Sequence, residues 1–162
     1  MPKLTISNTS PLLYLHAIGQ LELLRLLYQN IIIPKAVQSE LAMGANQGIN
    51  VPDPLSIHWI RVMPVQTPAM IPIVTDLGQG ESEVIALALE HQESRMILDD
   101  QLARRIATAN NMLFTGTLGV VLKAKQIGHI HEVKPYLNAL RNAGLWISET
   151  LIQMVLAQAN EI

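Results

Sequence analysis

The sequence predicts an α/β fold of three layers, with a mainly parallel central sheet and helices on both of its faces. Short β-branched or aliphatic runs alternate along the chain with longer segments of helical periodicity, the pattern of right-handed crossovers in a parallel sheet. Apolar residues make up 49% of the chain and charged residues 15%, which excludes disorder and calls for a large core. The mean hydropathy of +0.27 fits strands covered on both faces, with an apolar surface buried in an oligomer as a second contribution. A length of 162 residues suits one domain spanning 1–162.

Leu4-Thr5-Ile6 reads as the first strand, followed by Asn8-Thr9-Ser10-Pro11, a capping residue ahead of a proline suited to the first helical position. Leu12, Leu13, Leu15 and Ile18 give that helix its apolar side, and Gly19 ends it. Leu21 to Leu27 is a second leucine-rich helix. Ile31-Ile32-Ile33 is a buried strand, after which Pro34 opens a helix with Val37 and Leu41 four apart and Gly44 as its stop. From Asn46 to Pro72 the chain is irregular and proline-rich, with one extended stretch over Trp59–Met63. Gly78-Gln79-Gly80-Glu81 leads into a helix bearing Val84, Ile85, Ala88 and Leu89. Met96-Ile97-Leu98 is a strand ending at Asp99-Asp100, and a helix follows through Ala103, Ile106 and Ala107. Met112-Leu113-Phe114 is the last strand, passing through Thr115-Gly116-Thr117 into a helix that Gly128 ends. Two helices, about His131–Asn142 and Ser148–Asn160, close the chain.

The absence of cysteine excludes disulfides, thiolate metal sites and cysteine nucleophiles. No apolar signal core follows Met1, and no apolar run approaches the ~20 residues of a membrane span, so the expectation is a cytoplasmic protein that does not engage membranes. The net charge of −2 requires any nucleic-acid binding to use a local basic patch, metal ions or a second subunit.

Ligands of parallel sheets bind beyond the carboxyl ends of the strands. Polar residues stand at such places. Asn8 follows the first strand, Glu40 lies in the helix launched from Ile33, Glu81 begins a helix, and Asp99 and Asp100 follow the Met96 strand. Converging, they make a site of hard oxygen donors, in which a cation offsets the repulsion between carboxylates. Such donors suit Mg²⁺ or Mn²⁺ rather than zinc. Singly, Asn8 reads as a helix cap and Glu81 as a complement to a helix dipole. Glu40 reads equally as a solvated residue, and one of Asp99 and Asp100 is free to cap the following helix. His16, His58, His91, His129 and His131 lie in unrelated segments, the last two reading as turn residues. The chain has no P-loop, dinucleotide fingerprint or nucleophile elbow.

The ordered motifs resemble a known family. Ile6-Ser7-Asn8-Thr9-Ser10-Pro11-Leu12-Leu13 is similar to the first motif of PIN domains, which usually opens on aspartate. Ile33-Pro34-Lys35-Ala36-Val37-Gln38-Ser39-Glu40-Leu41 resembles the second, Gly80-Glu81-Ser82-Glu83-Val84-Ile85-Ala86-Leu87-Ala88 the third, and Ile97-Leu98-Asp99-Asp100 the fourth. Phe114-Thr115-Gly116-Thr117-Leu118-Gly119, Ala124-Lys125 and Gly128 resemble a bacterial and archaeal PIN subfamily described as predicted nucleic-acid-binding proteins.

The resemblance implies a VapC-like toxin ribonuclease, cytoplasmic and homodimeric, with RNA as substrate, an antitoxin protein as partner, and one or two Mg²⁺ or Mn²⁺ ions as cofactor. Carried over, the catalytic and metal-binding set is Asn8, Glu40, Glu81 and Asp99. Glu81 and Asp99 hold the main ion, Glu40 assists or orients water, and Asn8 is a neutral ligand. Glu81 is preferred to Glu83 on its spacing from Asp99; Glu83 and Asp100 are the substitute ligands, and Thr9, Ser10, Thr115 and Thr117 line the site. Arg104, Arg105, Lys123 and Lys125 are the candidates to contact the RNA backbone, with solvated helix faces as their plain alternative. Asn8 departs from the family aspartate, bringing an oxygen but no charge. It therefore also favours a second function, an RNA- or partner-binding module without catalysis. A phosphoacceptor domain is a third, but Thr115-Gly116-Thr117 stands where such a domain needs a lysine.

Overall fold

Five short apolar runs pair into one all-parallel sheet: β1 (Leu4–Ser7), β2 (Ile31–Ile33), β3 (Ile60–Val62), β4 (Ser94–Ile97) and β5 (Leu113–Thr115), in the spatial order β3-β2-β1-β4-β5. The computed structural model describes residues 2–71 and 76–162; Met1 and Pro72, the last proline of the irregular segment, lie outside them. β1 is central, with Ile6 opposite Ile32 on one side and Met96 on the other. Thr5, Ile6 and Ser7 are all buried, so the sheet is covered on both faces at its middle. In β1 the second face is covered over the small hydroxyl residues Thr5 and Ser7, whereas β2, Ile31–Ile33, shows the continuous apolar run that burial on both faces favours.

Eight helices connect and cover the strands among the described residues: α1 (Thr9–Ala17), α2 (Glu22–Tyr28), α3 (Lys35–Asn46), α4 (Gln79–Glu90), α5 (Gln101–Ala109), α6 (Thr117–Ile127), α7 (Lys134–Asn142) and α8 (Glu149–Gln158). Helix α4 lies against β1 and β4 and touches α3 and α5, whereas α6 packs on α1, α2 and α8. Together these make the expected three layers. One buried cluster runs from Ile6 to Ala159 and draws on every helix. No helix among the described residues is long and apolar enough to cross a membrane.

Three local readings differ from the sequence expectation. Helix α1 begins at Thr9, so Pro11 is its third residue rather than its first, tolerated because the first helical N–H groups have no partner within the helix. Gly44 does not stop α3, which runs on to Asn46. The chain turns at Gly48 instead, with φ of +80°. Gly44 is buried against Val51, and a Cβ there would meet Val51 Cγ1 at 3.3 Å; its smallness serves packing. Helix α7 starts at Lys134 and not near His131, because the N–H groups of Val133 and Lys134 turn to Glu161.

Glu161 ties the end of the chain to this core. Its Oε2 accepts from Lys125 Nζ at 2.9 Å and from Val133 N at 2.7 Å, and its Oε1 accepts from Lys134 N at 3.1 Å. It thus supplies the negative charge that the start of α7 favours. Burial works to raise its pKa, but the Lys125 ammonium and the two N–H groups outweigh this and hold it below the ordinary glutamate value. The stabilisation is therefore fully present above the unfolded-state pKa, near 4.3, and is lost as pH falls through the lower folded value. Glu161→Gln is expected to cost about 2 kcal/mol at neutral pH and to lower Tm by about 4–8 °C. The difference from wild type should vanish in strong acid; thermal denaturation at both pH values checks it, and a constant difference would contradict the clamp.

Candidate active site

The chain leaves β1 toward β2 on one side, and later returns to β4 on the other. The crevice at the carboxyl end of β1 is thus a topological switch point, the place where parallel sheets bind ligands. Asn8 stands there, 3% exposed, its N–H bonded to Ile97 O at 3.1 Å. It occupies the capping position of α1 but makes no side-chain cap. Its side chain is turned to other use: Asn8 Nδ2 donates to Glu81 Oε1 at 3.1 Å.

Two hydrogen-bonded groups gather at this edge. In the first, Thr9 Oγ1 donates to Glu40 Oε1 at 2.6 Å, beside the Asn8–Glu81 pair. Gly80 separates them closely: a Cβ built on it would fall 2.6 and 2.8 Å from the Glu40 oxygens and 2.9 Å from Asn8 Oδ1. Asn8 Oδ1 is buried and has no hydrogen-bond donor. Reversing the amide would give it none either, since the Nδ2 position faces a carboxylate that needs a donor. A buried oxygen beside a carboxylate, with no donor for it, is a place for a cation. Ser10 follows on the first turn of α1, half-buried.

The second group is built on Asp99. Thr117 donates twice, its N to Oδ1 at 2.8 Å and its Oγ1 to Oδ2 at 2.6 Å. This fixes the carboxylate plane and leaves each oxygen a further lone pair. Arg104 lies alongside: its Nε donates to Leu98 O at 2.7 Å and its guanidinium stacks on Phe114, 5.3 Å from the ring centroid. The Thr115 hydroxyl sits over Gly119. Beyond Asp99 a cleft of about 440 Å³ opens between α6 and α8.

The other expected residues have structural partners or lie elsewhere. Asp100 caps α5, its Oδ2 accepting from Ala103 N at 2.9 Å, which was the plain reading of one of the paired acids. Glu83 Oε1 accepts from Ala36 N at 3.1 Å, at the start of α3. Arg105 is exposed on α5. Lys123 and Lys125 sit toward the far end of α6, away from the acids, because that helix starts at the site and rises 1.5 Å per residue. Lys123 Nζ lies 4.8 Å from the Tyr28 ring centroid, and Arg95 stacks on the same ring. Burial, with Arg95 as second cause, holds the Lys123 ammonium below the ordinary lysine value. Lys125 is spent on Glu161 and Ala159.

Among the described residues no group of three or more Asp, Glu, His or Cys side chains is close enough to hold a metal ion. The first cluster contains two carboxylates, Glu40 and Glu81, and the amide oxygen of Asn8.

A protein-family model described as a PIN domain matches residues 4–161. The chain belongs to the PIN-domain family. PIN domains are typically nucleases acting on nucleic acids, and they generally use divalent metal ions. No curated protein and no solved structure matches this PIN domain. Two site features were invisible in its sequence: Gly80 as a point of close approach, and the double bond from Thr117 to Asp99. Spacing places Thr117 in the loop after β5 but carries no sign of its partner.

If Asn8 Oδ1 and Glu40 face a cation, Asn8→Asp should make the fold respond to divalent ions. It replaces an amide donor to Glu81 with a like charge, a loss of about 2 kcal/mol and about 4–8 °C of Tm in EDTA. Mg²⁺ or Mn²⁺ should recover that loss. Thermal denaturation with and without the ions decides it; a Tm in EDTA equal to wild type would refute the contact.

Proposed function

We propose that this PIN domain, read as one domain over 1–162, is a metal-dependent endoribonuclease, the VapC-like toxin of a toxin–antitoxin pair. The observation that carries this is the buried, unpartnered Asn8 Oδ1 beside the Glu40 carboxylate at the switch point of the sheet. The donors are all oxygen, which matches Mg²⁺ or Mn²⁺. Asn8, Glu40 and Glu81 would hold the ion, with Asp99 at the neighbouring edge. A divalent ion there would offset charge developing on phosphoryl oxygens and favour ionisation of the attacking water.

The chain's own residues orient the reaction. Thr9 fixes Glu40 through Oε1, so that Glu40 orients the water that attacks phosphorus in line and gives its proton to solvent. The bond from phosphorus to the 3′ oxygen breaks, leaving a 5′-phosphate and a 3′-hydroxyl that takes its proton from solvent. Asn8 keeps Glu81 in place through Nδ2, and Thr117 holds Asp99 in one plane. Such orientation by fixed hydrogen bonds is where protein scaffolds gain rate.

Purified protein mixed with labelled single-stranded RNA should cleave it with Mn²⁺ or Mg²⁺ and not with EDTA. Asp99→Ala should lower the rate by on the order of 10²-fold or more. Asp99→Asn, which keeps the acceptor for Thr117 N, guards against mere unfolding. Undiminished cleavage in both variants would sink the assignment of Asp99.

A second reading rests on asparagine at position 8: a binding module for RNA or a protein partner, weakened or silent in catalysis. It predicts RNA retention without cleavage under either ion, and cleavage gained on Asn8→Asp. We also read the protein as a homodimer joined through apolar helix surface, since Met43 and Ile127 are more than half exposed. Light scattering at micromolar concentration should give twice the 17.9 kDa chain mass; a monomer mass would refute it.

A further inference from the structure

Arg104 is held on two sides and open on a third. Its Nε is anchored to Leu98 O, its plane rests on Phe114, and its neighbouring carboxylate, Asp99 across Gly116, stays outside ion-pair distance. A guanidinium Nη lies against Gly116, in the wall of the cleft that starts at Asp99. A guanidinium fixed in this way presents a planar fork suited to the paired oxygens of a phosphate. Beyond Asp99 and Arg104 the cleft carries no charge; apolar side chains of α6 and α8 wall it together with the amides of Gln101 and Gln158 and with Trp146, which is 81% exposed. Ile147, next in sequence, is buried and fixes the backbone at the rim.

We propose that this cleft is a subsite for one nucleotide of single-stranded RNA next to the bond that is cut. Arg104 takes a backbone phosphate and Trp146 takes the face of a base. The proposal rests on the nuclease reading above and adds where the strand runs. Three observations support it together. The cleft shares Asp99, Thr115 and Gly116 with the acidic edge, so a strand whose phosphate reaches that edge has its neighbour in the cleft. Its volume of about 440 Å³ is that of a small-ligand pocket, which ranges over roughly 300–1,000 Å³. Its chemistry is a guanidinium, with Asp99 on its inner side, followed by an aromatic and apolar wall, and a guanidinium beside such a wall suits a phosphate and an unstacked base. A duplex keeps its bases stacked and is excluded.

The two tryptophans make the test direct, because Trp59 is 7% exposed and Trp146 reports the cleft. Labelled oligoadenylate is titrated in EDTA, with anisotropy reading binding and indole emission reading contact with a base. Single-stranded oligoadenylate is expected to quench Trp146, and an RNA duplex is not. Trp146→Ala should abolish the quench and weaken binding by about 5- to 150-fold, the worth of one base stacked on an aromatic ring. Trp146→Phe should retain most of the affinity. In Mn²⁺, Trp146→Ala and Arg104→Lys should raise KM with kcat nearly unchanged.

Unchanged indole emission, or unchanged KM and affinity in Trp146→Ala, overturns the subsite while metal-dependent cleavage by wild type keeps the nuclease reading. Loss of the dimer mass in Trp146→Ala with RNA affinity intact also overturns it, assigning the cleft to self-association. If wild type neither binds nor cleaves RNA, both readings fall together.

Discussion

The structure depends on the pairing of β1 with β2 on one side and β4 on the other. β1 is only four residues long, yet it is buried on both faces and sets the position of everything that follows it. The chain's reversal of direction at this strand opens the crevice, and the residue directly after the strand is Asn8. Parallel pairing across two non-sequential neighbours brings Asn8, Glu40, Glu81 and Asp99 to one edge, although they come from four different elements. None of the four is placed by its own helix alone.

Within that edge, hydrogen bonds rather than charge set the geometry. Each acid is held by a neutral partner: Glu40 by Thr9, Glu81 by Asn8, Asp99 by Thr117. A hydroxyl or amide fixes a carboxylate without neutralising it, so the negative charge stays available to a cation or to a proton. The asparagine does two things at once, donating to one acid and leaving its own oxygen bare beside another. That division explains why an amide is accommodated at a buried position where a third carboxylate would repel both neighbours.

The sequence displayed the layers and the parallel sheet because strands alternate with helices and burial on both faces leaves an apolar run, as in Ile31–Ile33; the spatial order of the strands it did not display. It also displayed Asp99, since an acid directly after such a run has few bland explanations. It could not separate Asp99 from Asp100: both stand at the strand end, and only the backbone direction decides that the second turns to cap α5. Glu81 and Glu83 pose the same difficulty on α4, two residues apart on a helix and so on different sides of it. Gly44 misled because glycine marks a helix stop only where φ is positive; here it marks contact with Val51. Lys123 and Lys125 read as surface cations because nothing local reveals Tyr28 or Glu161, which reach them from distant parts of the chain.

The pairing of Leu4 with Ser94 and the grip of Thr117 on Asp99 also govern when the protein comes into being. A chain emerging from the ribosome has β1 and β2 early, but β1 lacks its second neighbour until β4 has been made. Asp99 has no clasp until α6 begins. Such distant pairings are slow to close and wait for the whole intervening length. A nascent chain still tethered to its own messenger therefore carries no assembled site until α6 has emerged.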